Sequence, residues 1–469
     1  MERRKMQSKR IAGLVLGLSV LAVFASIHPF EGLDKPAMLG LGIFLSAVCF
    51  WVFDVLFDFV TGMLMCAAWA ATGIVPFNVA FSQFSSETWF LLVGALALGA
   101  GVSKSGLLGR ISLIIMDKFP ATFRGQTAAL VLSGNIIGPM IPSVTAKCAI
   151  FSPFAKDISE KMGYEKDSDG AAGLFGAMFV GFGINGPAFL TSSFFCYTIL
   201  ALLPGDVQLH MTWLRWALSA LPWTLCVMIL GYIAIQLLYK PAEGIVTDRN
   251  YLKQRYAELG PMSRNEKITS VVLAAAMVSW MTETLHGISS ALVAIFAVSA
   301  LLGTGVMDRL DFRRGTGWDS AIFIGCIINT GTVFAKLGID KWIGSLAGPV
   351  MVVLLSNIWV LILAGSLLTY VVRFFIVSMV ATFTILTVIV VPFAEQAGFN
   401  PWVPAFVFLV ATNVFHMFYQ NTTYLSAYYA ADGMVSHGKM VRLGLAYMII
   451  SIIGLLACVP VWTWLGYIA

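Results

Sequence analysis

Apolar residues run along this chain in blocks long enough to cross a bilayer, separated by short polar breaks. A hydrocarbon core of about 30 Å takes about 20 apolar residues per helix. Eleven blocks approach or meet that length: residues 11–27, 38–53, 60–74, 89–102, 174–195, 214–238, 268–281, 289–302, 322–334, 402–418 and 443–468. Two longer stretches, 128–158 and 346–391, exceed one crossing, and a polar or charged cluster interrupts each in the middle. Such a stretch predicts a helix, an irregular tip and a returning helix. The freed backbone groups of the tip survive at membrane depth only where they line protein or a water-filled cavity. The pattern therefore predicts an all-α polytopic membrane protein with about 11 transmembrane helices and two re-entrant hairpins, over 124–158 and 346–395.

The order of these elements repeats. Lys104-Ser-Gly106 follows the block that starts at Trp89, and Lys336-Leu-Gly338 follows the block near Trp318. Each Lys-x-Gly segment leads into one of the hairpins and then into a block with a polar break, at Thr191-Ser192-Ser193 in one half and Asn421-Thr422-Thr423 in the other. Both correspondences hold at an offset of roughly 232 residues. An odd number of crossings separates the copies, so they are expected to be inverted in the membrane, the arrangement of secondary transporters whose binding site lies near the midplane. The expected organisation is an N-terminal span over 1–35, a first repeat over 36–239, a linker over 240–267 and a second repeat over 268–469.

Composition agrees and excludes alternatives. Of 469 residues, 59% are hydrophobic and 11% charged, against about 25% charged in ordinary soluble proteins. This is the composition of neither a soluble enzyme nor a nucleic-acid binder, and the net charge of +5 is too small and scattered for a polyanion surface. Its placement sets orientation. Residues 1–10 carry five basic side chains, and basic residues recur at 240–267, at Arg309, Arg313 and Arg314, and at His437, Lys439 and Arg442. On the eleven-crossing count all four segments fall on the cytoplasmic side, which places the N-terminus inside and the C-terminus outside a plasma or inner membrane. With no clear cleavage site, the first span is expected to be retained. Seven cysteines and five histidines show neither metal-ligand nor disulfide spacing. Gly181-Phe-Gly183-Ile-Asn-Gly186 matches a dinucleotide pattern, but inside an apolar block it reads as close packing and a bend.

The candidate chemistry lies at the interruptions. Pro142-Ser143-Val144-Thr145-Ala146-Lys147 forms the first tip and the start of the returning helix, where hydroxyls and free N–H groups gather. Lys147 and, in the second tip, Arg373 are cations at bilayer depth, each costing about 2.5–3.5 kcal/mol on insertion scales. A visiting anion would neutralise them; snorkelling, or pairing with Glu283, Asp54 or Asp58, is the alternative. The hydroxyls and amide at 191–193 and 421–423 can coordinate a dehydrated Na⁺, donate to a carboxylate, or bond back to their own helices. Glu283 and His286 read as a solvated helix end, and a membrane-embedded enzyme using them as acid and base is the remote alternative.

The first-tip motif followed by Pro153 resembles the Pro-Ser-Asn-Thr-Ala-Arg hairpin of the divalent anion:sodium symporter family, carriers of dicarboxylates and citrate. The resemblance implies a homodimeric elevator-type transporter. It implies one substrate and cation half-site at Ser143, Thr145 and Thr191–Ser193, and another at Ser378, Thr382 and Asn421–Thr423, with Lys147 and Arg373 facing the anion. Ser143, Thr145 and Asn421 would be the Na⁺ ligands, and no other cofactor is expected. Two departures bear on coupling: Val144 replaces the motif's asparagine, and Phe374-Phe375-Ile-Val-Ser378 is closer to the second tip of the family's 2-oxoglutarate/malate and citrate/succinate exchangers. Exchange is thus favoured over Na⁺ symport, because a fixed cation at Lys147 can stand in for a bound one. A carrier of another divalent or inorganic anion, such as sulfonate or sulfate, is the alternative.

Overall fold

The computed structural model describes residues 2–53, 55–241, 256–376 and 378–468. Arg249, Lys253 and Arg255 of the linker, and Asp54, lie outside the described residues. Among those described, every regular element is a helix, apart from a lone bridge between Phe399 and Ile468. Polar residues at the breaks start the helices. Asp34 accepts from Ala37 N at the head of α2 (Lys35–Val52), which follows α1 (Glu2–Ser26), and Ser86 accepts from Trp89 N at the head of α4 (Glu87–Lys104). Between them lies α3 (Asp58–Ala71).

The same succession of elements occurs twice. α4 turns by 68° into the amphipathic α5 (Leu107–Asp117) at Gly106, whose φ of +84° is open to glycine. In the second half α14 (Trp318–Ile327) and α15 (Asn329–Leu337) meet α16 (Ile339–Leu354) at Gly338, with φ of +68°. Helix pairs follow: α6 (Phe123–Ile137) with α7 (Val144–Lys161), and α17 (Ile358–Phe375) with α18 (Met379–Ala394). Each is followed by a broken helix. In the first half α8 (Asp169–Met178) passes through a π-turn at Phe179–Ile184 and two tight turns before α9 (Phe194–Leu202). In the second, α19 (Trp402–Ala411) stops at Thr412 and α20 (Thr422–Ala430) resumes after Asn421. The halves close with the long helices α10 (Trp213–Leu238) and α21 (His437–Trp464). Before α14, the second half also holds α11 (Arg264–Met281), α12 (Ser290–Gly303) and α13 (Arg309–Gly315).

The second long apolar stretch divides differently from the expectation. Residues 346–354 belong to α16, and the helix pair starts at Ile358, because the Asn357 side chain accepts from Val360 N at 2.9 Å and starts a new helix after the polar Ser356-Asn357 interruption.

The halves interlock crosswise. α3 packs on α14 and α4 on α12, while α7 packs on α20 and α18 on α9. Trp89 Nε1 donates to Ala321 O at 2.9 Å, joining positions 232 residues apart. α10 and α21 lie against each other with indole N–H groups tying the pair: Trp223 to Ser451 Oγ at 3.2 Å and Trp462 to Ser219 O at 2.9 Å. Their outer faces carry Leu225, Ile229, Ile233 and Leu237, and Leu445, Ile449 and Ile453, at four-residue spacing and exposed, the stripes a lipid phase would cover. Seven of the described helical stretches are long and apolar enough to cross a bilayer, and the bent α4–α5 pair adds an eighth; α3, α12, α18 and α19 are shorter and equally apolar.

Candidate functional site

The interruptions meet. Proline 139 and proline 142 stop α6 and delay α7, leaving the Gly138–Met140 turn, and the residues after Pro187 form a second irregular segment against it. Phe194 N donates to Pro142 O at 2.7 Å, stitching the first tip to the break before α9. Glycine permits the approach behind it: a Cβ on Gly134 of α6 would fall 2.2 Å from the Gly181 carbonyl carbon, and Gly181 lies in the π-turn. The glycine-rich run is thus close packing at a bend, as its apolar context implies.

Lys147 is buried in this junction. Its ammonium donates to Ser192 O at 2.8 Å and to Gly138 O at 3.3 Å, an oxygen that also accepts from Ile141 N at 3.3 Å. In this structure the charge rests on backbone oxygens. Ser143 caps α7 through Ala146 N at 3.2 Å, and Ser193 caps α9 through Phe195 N at 3.2 Å. Thr191 Oγ1 accepts from Trp213 Nε1 at 3.0 Å, whereas the buried Ser192 hydroxyl has no hydrogen-bond partner among the described residues.

In the other half, Arg373 is fully buried in the last turn of α17, where the helix dipole favours a cation, and its Nη1 donates to Ile376 O at 2.6 Å. Ser378 caps α18 through Ala381 N at 3.3 Å, and Thr382 bonds back to Ser378 O at 2.9 Å. Asn421 caps α20 through Tyr424 N at 2.9 Å and donates to Asn413 Oδ1 at 2.8 Å; Thr422 is exposed. Across the halves, Thr145 Oγ1 and Thr423 Oγ1 lie 3.3 Å apart, so the α7–α20 crossing carries a hydroxyl pair. At the matching α9–α18 crossing Phe195 lies edge-on to Phe383 at 5.7 Å.

Sequence reasoning missed the amides that hold the breaks together. Asn185 donates to Asn135 Oδ1 at 3.1 Å, Asn413 donates to Ile184 O at 3.1 Å, and Gln420 reaches Arg373 O at 3.4 Å. The available signal was an amide inside an apolar block, where it must find a backbone partner. Glu283 accepts from Ser290 N and Oγ at 3.2 and 2.7 Å, so it partners neither buried cation, and His286 is exposed. Among the described residues no group of three His, Cys, Asp or Glu side chains could hold a metal. Of the three expected Na⁺ ligands, Ser143 and Asn421 are engaged as helix caps and Thr145 with Thr423.

The family model of the sodium:sulfate symporter transmembrane region matches residues 8–468. The chain belongs to this family. It is a membrane transporter and not an enzyme, with an all-α polytopic fold, as the first-tip motif implies. Family relatives include dicarboxylate transporter 2 of Spinacia oleracea chloroplasts, 26% identical over 353 residues, covering 71% of this chain and 61% of that one. The inner membrane protein YbhI of Escherichia coli is 26% identical over 352 residues, covering 72% of this chain and 73% of its own. Two solved transporters share the fold: YdaH of Alcanivorax borkumensis, with a TM-score of 0.57 at 14% identity over 92% of this chain and 99% of that one, and MtrF of Neisseria gonorrhoeae, with 0.51 at 12% over 94% and 97%. In this member of the sodium:sulfate symporter family, hydroxyls of the two halves meet at the α7–α20 crossing, and a buried ammonium sits at the junction of the first tip with the break before α9.

Proposed function

We propose that this chain is a secondary carrier of organic di- or tricarboxylates, of C4-dicarboxylate, 2-oxoglutarate or citrate type, working by anion exchange. Lys147 carries the reading: an ammonium on two backbone carbonyls occupies the kind of oxygen cage that a coupling Na⁺ would otherwise fill. The dicarboxylate names of the plant relatives support the substrate class. Thr145 and Thr423 donate to one carboxylate from the two halves, and the second tip at Arg373 and Ser378 serves the other. The two halves form inverted repeats in an eleven-crossing chain, cytoplasmic at its N-terminus, which dimerises and moves substrate by an elevator shift of the hairpin-bearing body.

Purified protein in liposomes loaded with dicarboxylate tests this. Labelled malate, succinate, 2-oxoglutarate or citrate is expected to enter only against internal dicarboxylate, with no response to a Na⁺ gradient. Uptake into empty liposomes driven by Na⁺ overturns exchange. The family's name favours sulfate as the second reading, and uptake of labelled sulfate alone would select it. Thr145→Val and Thr423→Val are each expected to lower uptake by about 10- to 100-fold, the effect of withdrawing a hydroxyl worth about 1–3 kcal/mol from a charged group.

A further inference from the structure

Two cavities share one wall at equivalent positions of the halves. The first, of about 470 Å³, opens between α4 and the first tip and takes Gly99, Ala100 and Ser103 on one side and Pro142 and Ser143 on the other. The second, of about 500 Å³, takes Gly331, Thr332 and Ala335, each 232 residues further along, with Val388 and Val391 of α18. Their chemistry differs. Lys104 and Arg314 line the first with a single acid, Asp311; the second holds Asp340 and neither lysine nor arginine among its described lining. Lys104 pairs with Asp311, and with Asp308 at 3.4 Å, across the α4–α13 contact. Arg314, exposed on α13, makes no ion pair among the described residues.

We propose that the first cavity is an anion antechamber. Arg314 takes one carboxylate of the incoming dianion on the face that bears α13, and Lys104 turns from the aspartates to the other, handing the substrate to the wall formed by Ser143. Asp308 and Asp311 hold Lys104 while the cavity is empty. With Lys104 and Arg314 against the single lining carboxylate of Asp311, the cleft keeps a positive excess, which between low-dielectric walls draws anions to its mouth, an attraction that falls with ionic strength. The second cavity has no such pair, so the advantage belongs to one face of the membrane. The inference rests on the dianion reading above.

The test uses the full-length protein in oriented liposomes, with labelled dicarboxylate offered from either face. Arg314→Gln is expected to raise the KM measured at the α13 face at least threefold more than the KM at the opposite face, and Arg314→Lys to restore it. A ratio below threefold, or failure of Arg314→Lys to restore the KM, overturns the antechamber while leaving the transport reading intact. Absence of dianion transport by the unaltered protein overturns the transport reading itself, and the antechamber with it.

Discussion

At the scale of single residues, Lys147 shows how a costly charge becomes structure. Its ammonium joins Gly138 O in the first tip to Ser192 O in the break before α9, so it ties two irregular segments together at membrane depth. Lys147→Ala is therefore expected to lower the thermal midpoint in detergent by a few degrees even without substrate, since the Ser192 carbonyl left bare costs about 1–3 kcal/mol while Gly138 O keeps its bond from Ile141 N. Na⁺ is expected to raise the midpoint of the variant and not that of the unaltered protein. An unchanged midpoint would mean that Lys147 serves only the anion. The lysine itself was legible in the sequence as an anomaly, but its partners were not: backbone carbonyls carry no sequence signal, and only the fold brings residue 192 to residue 147. Thr382 is similar, a hydroxyl at a plausible place that bonds back to its own helix at Ser378 O.

At the scale of elements, the sequence showed where helices stop more clearly than where they begin again. The repeat at roughly 232 residues rests on two short segments; within one of them Gly106 and Gly338 are both left-handed helix starts, and Ser143 and Ser378 both cap the second helix of a pair. The start of the second helix pair was misjudged because hydropathy runs on through Asn357, whose cap is a side-chain event. Close approach is also invisible to hydropathy. Gly134→Ala is expected to destabilise by about 1–3 kcal/mol or more, since the added methyl meets the Gly181 backbone rather than a mobile side chain, whereas Gly109→Ala on α5 has nothing within 4 Å and is expected to be neutral or slightly stabilising. Equal thermal midpoints for the two variants would contradict the packing argument. The α5–α11 junction adds a pH dependence. Arg110 donates to both Glu266 oxygens, at 2.6 and 3.2 Å, and to Gly260 O at 2.9 Å. The guanidinium holds the Glu266 carboxyl, at the head of α11 and outside the expected span, below its ordinary value. A depressed carboxyl contributes stability that is present above the unfolded value of about 4.3 and lost as pH falls through the folded one. Glu266→Gln is thus expected to melt below the unaltered protein at pH 7, with the gap closing below about pH 4. A gap constant across that range would remove the ion pair from the account.

At the scale of the whole molecule, contacts divide the helices into two bodies. α2, α3, α4, α12 and α14 pack among themselves, while the helix pairs, the broken helices and the α10–α21 pair form the other group. The amphipathic α5 and α16 connect them, each beginning at a left-handed glycine. Few polar contacts cross the boundary; one joins Thr88 Oγ1 at the head of α4 to Gln208 Oε1, 3.1 Å away, in the Gly205–His210 turn after α9. If transport moves one body past the other, this contact breaks in each cycle. Thr88→Cys with Gln208→Cys, joined by a short bifunctional thiol reagent, is expected to stop uptake in liposomes and to regain it when a cleavable reagent is reduced. Either cysteine alone, treated with the same reagent, is expected to leave uptake near that of the untreated protein, since the native thiols are buried or half-buried. Full transport by the cross-linked protein would mean that α4 and the helix after α9 travel together, and the moving body would then have to be drawn inside that boundary, around the hairpin tips alone.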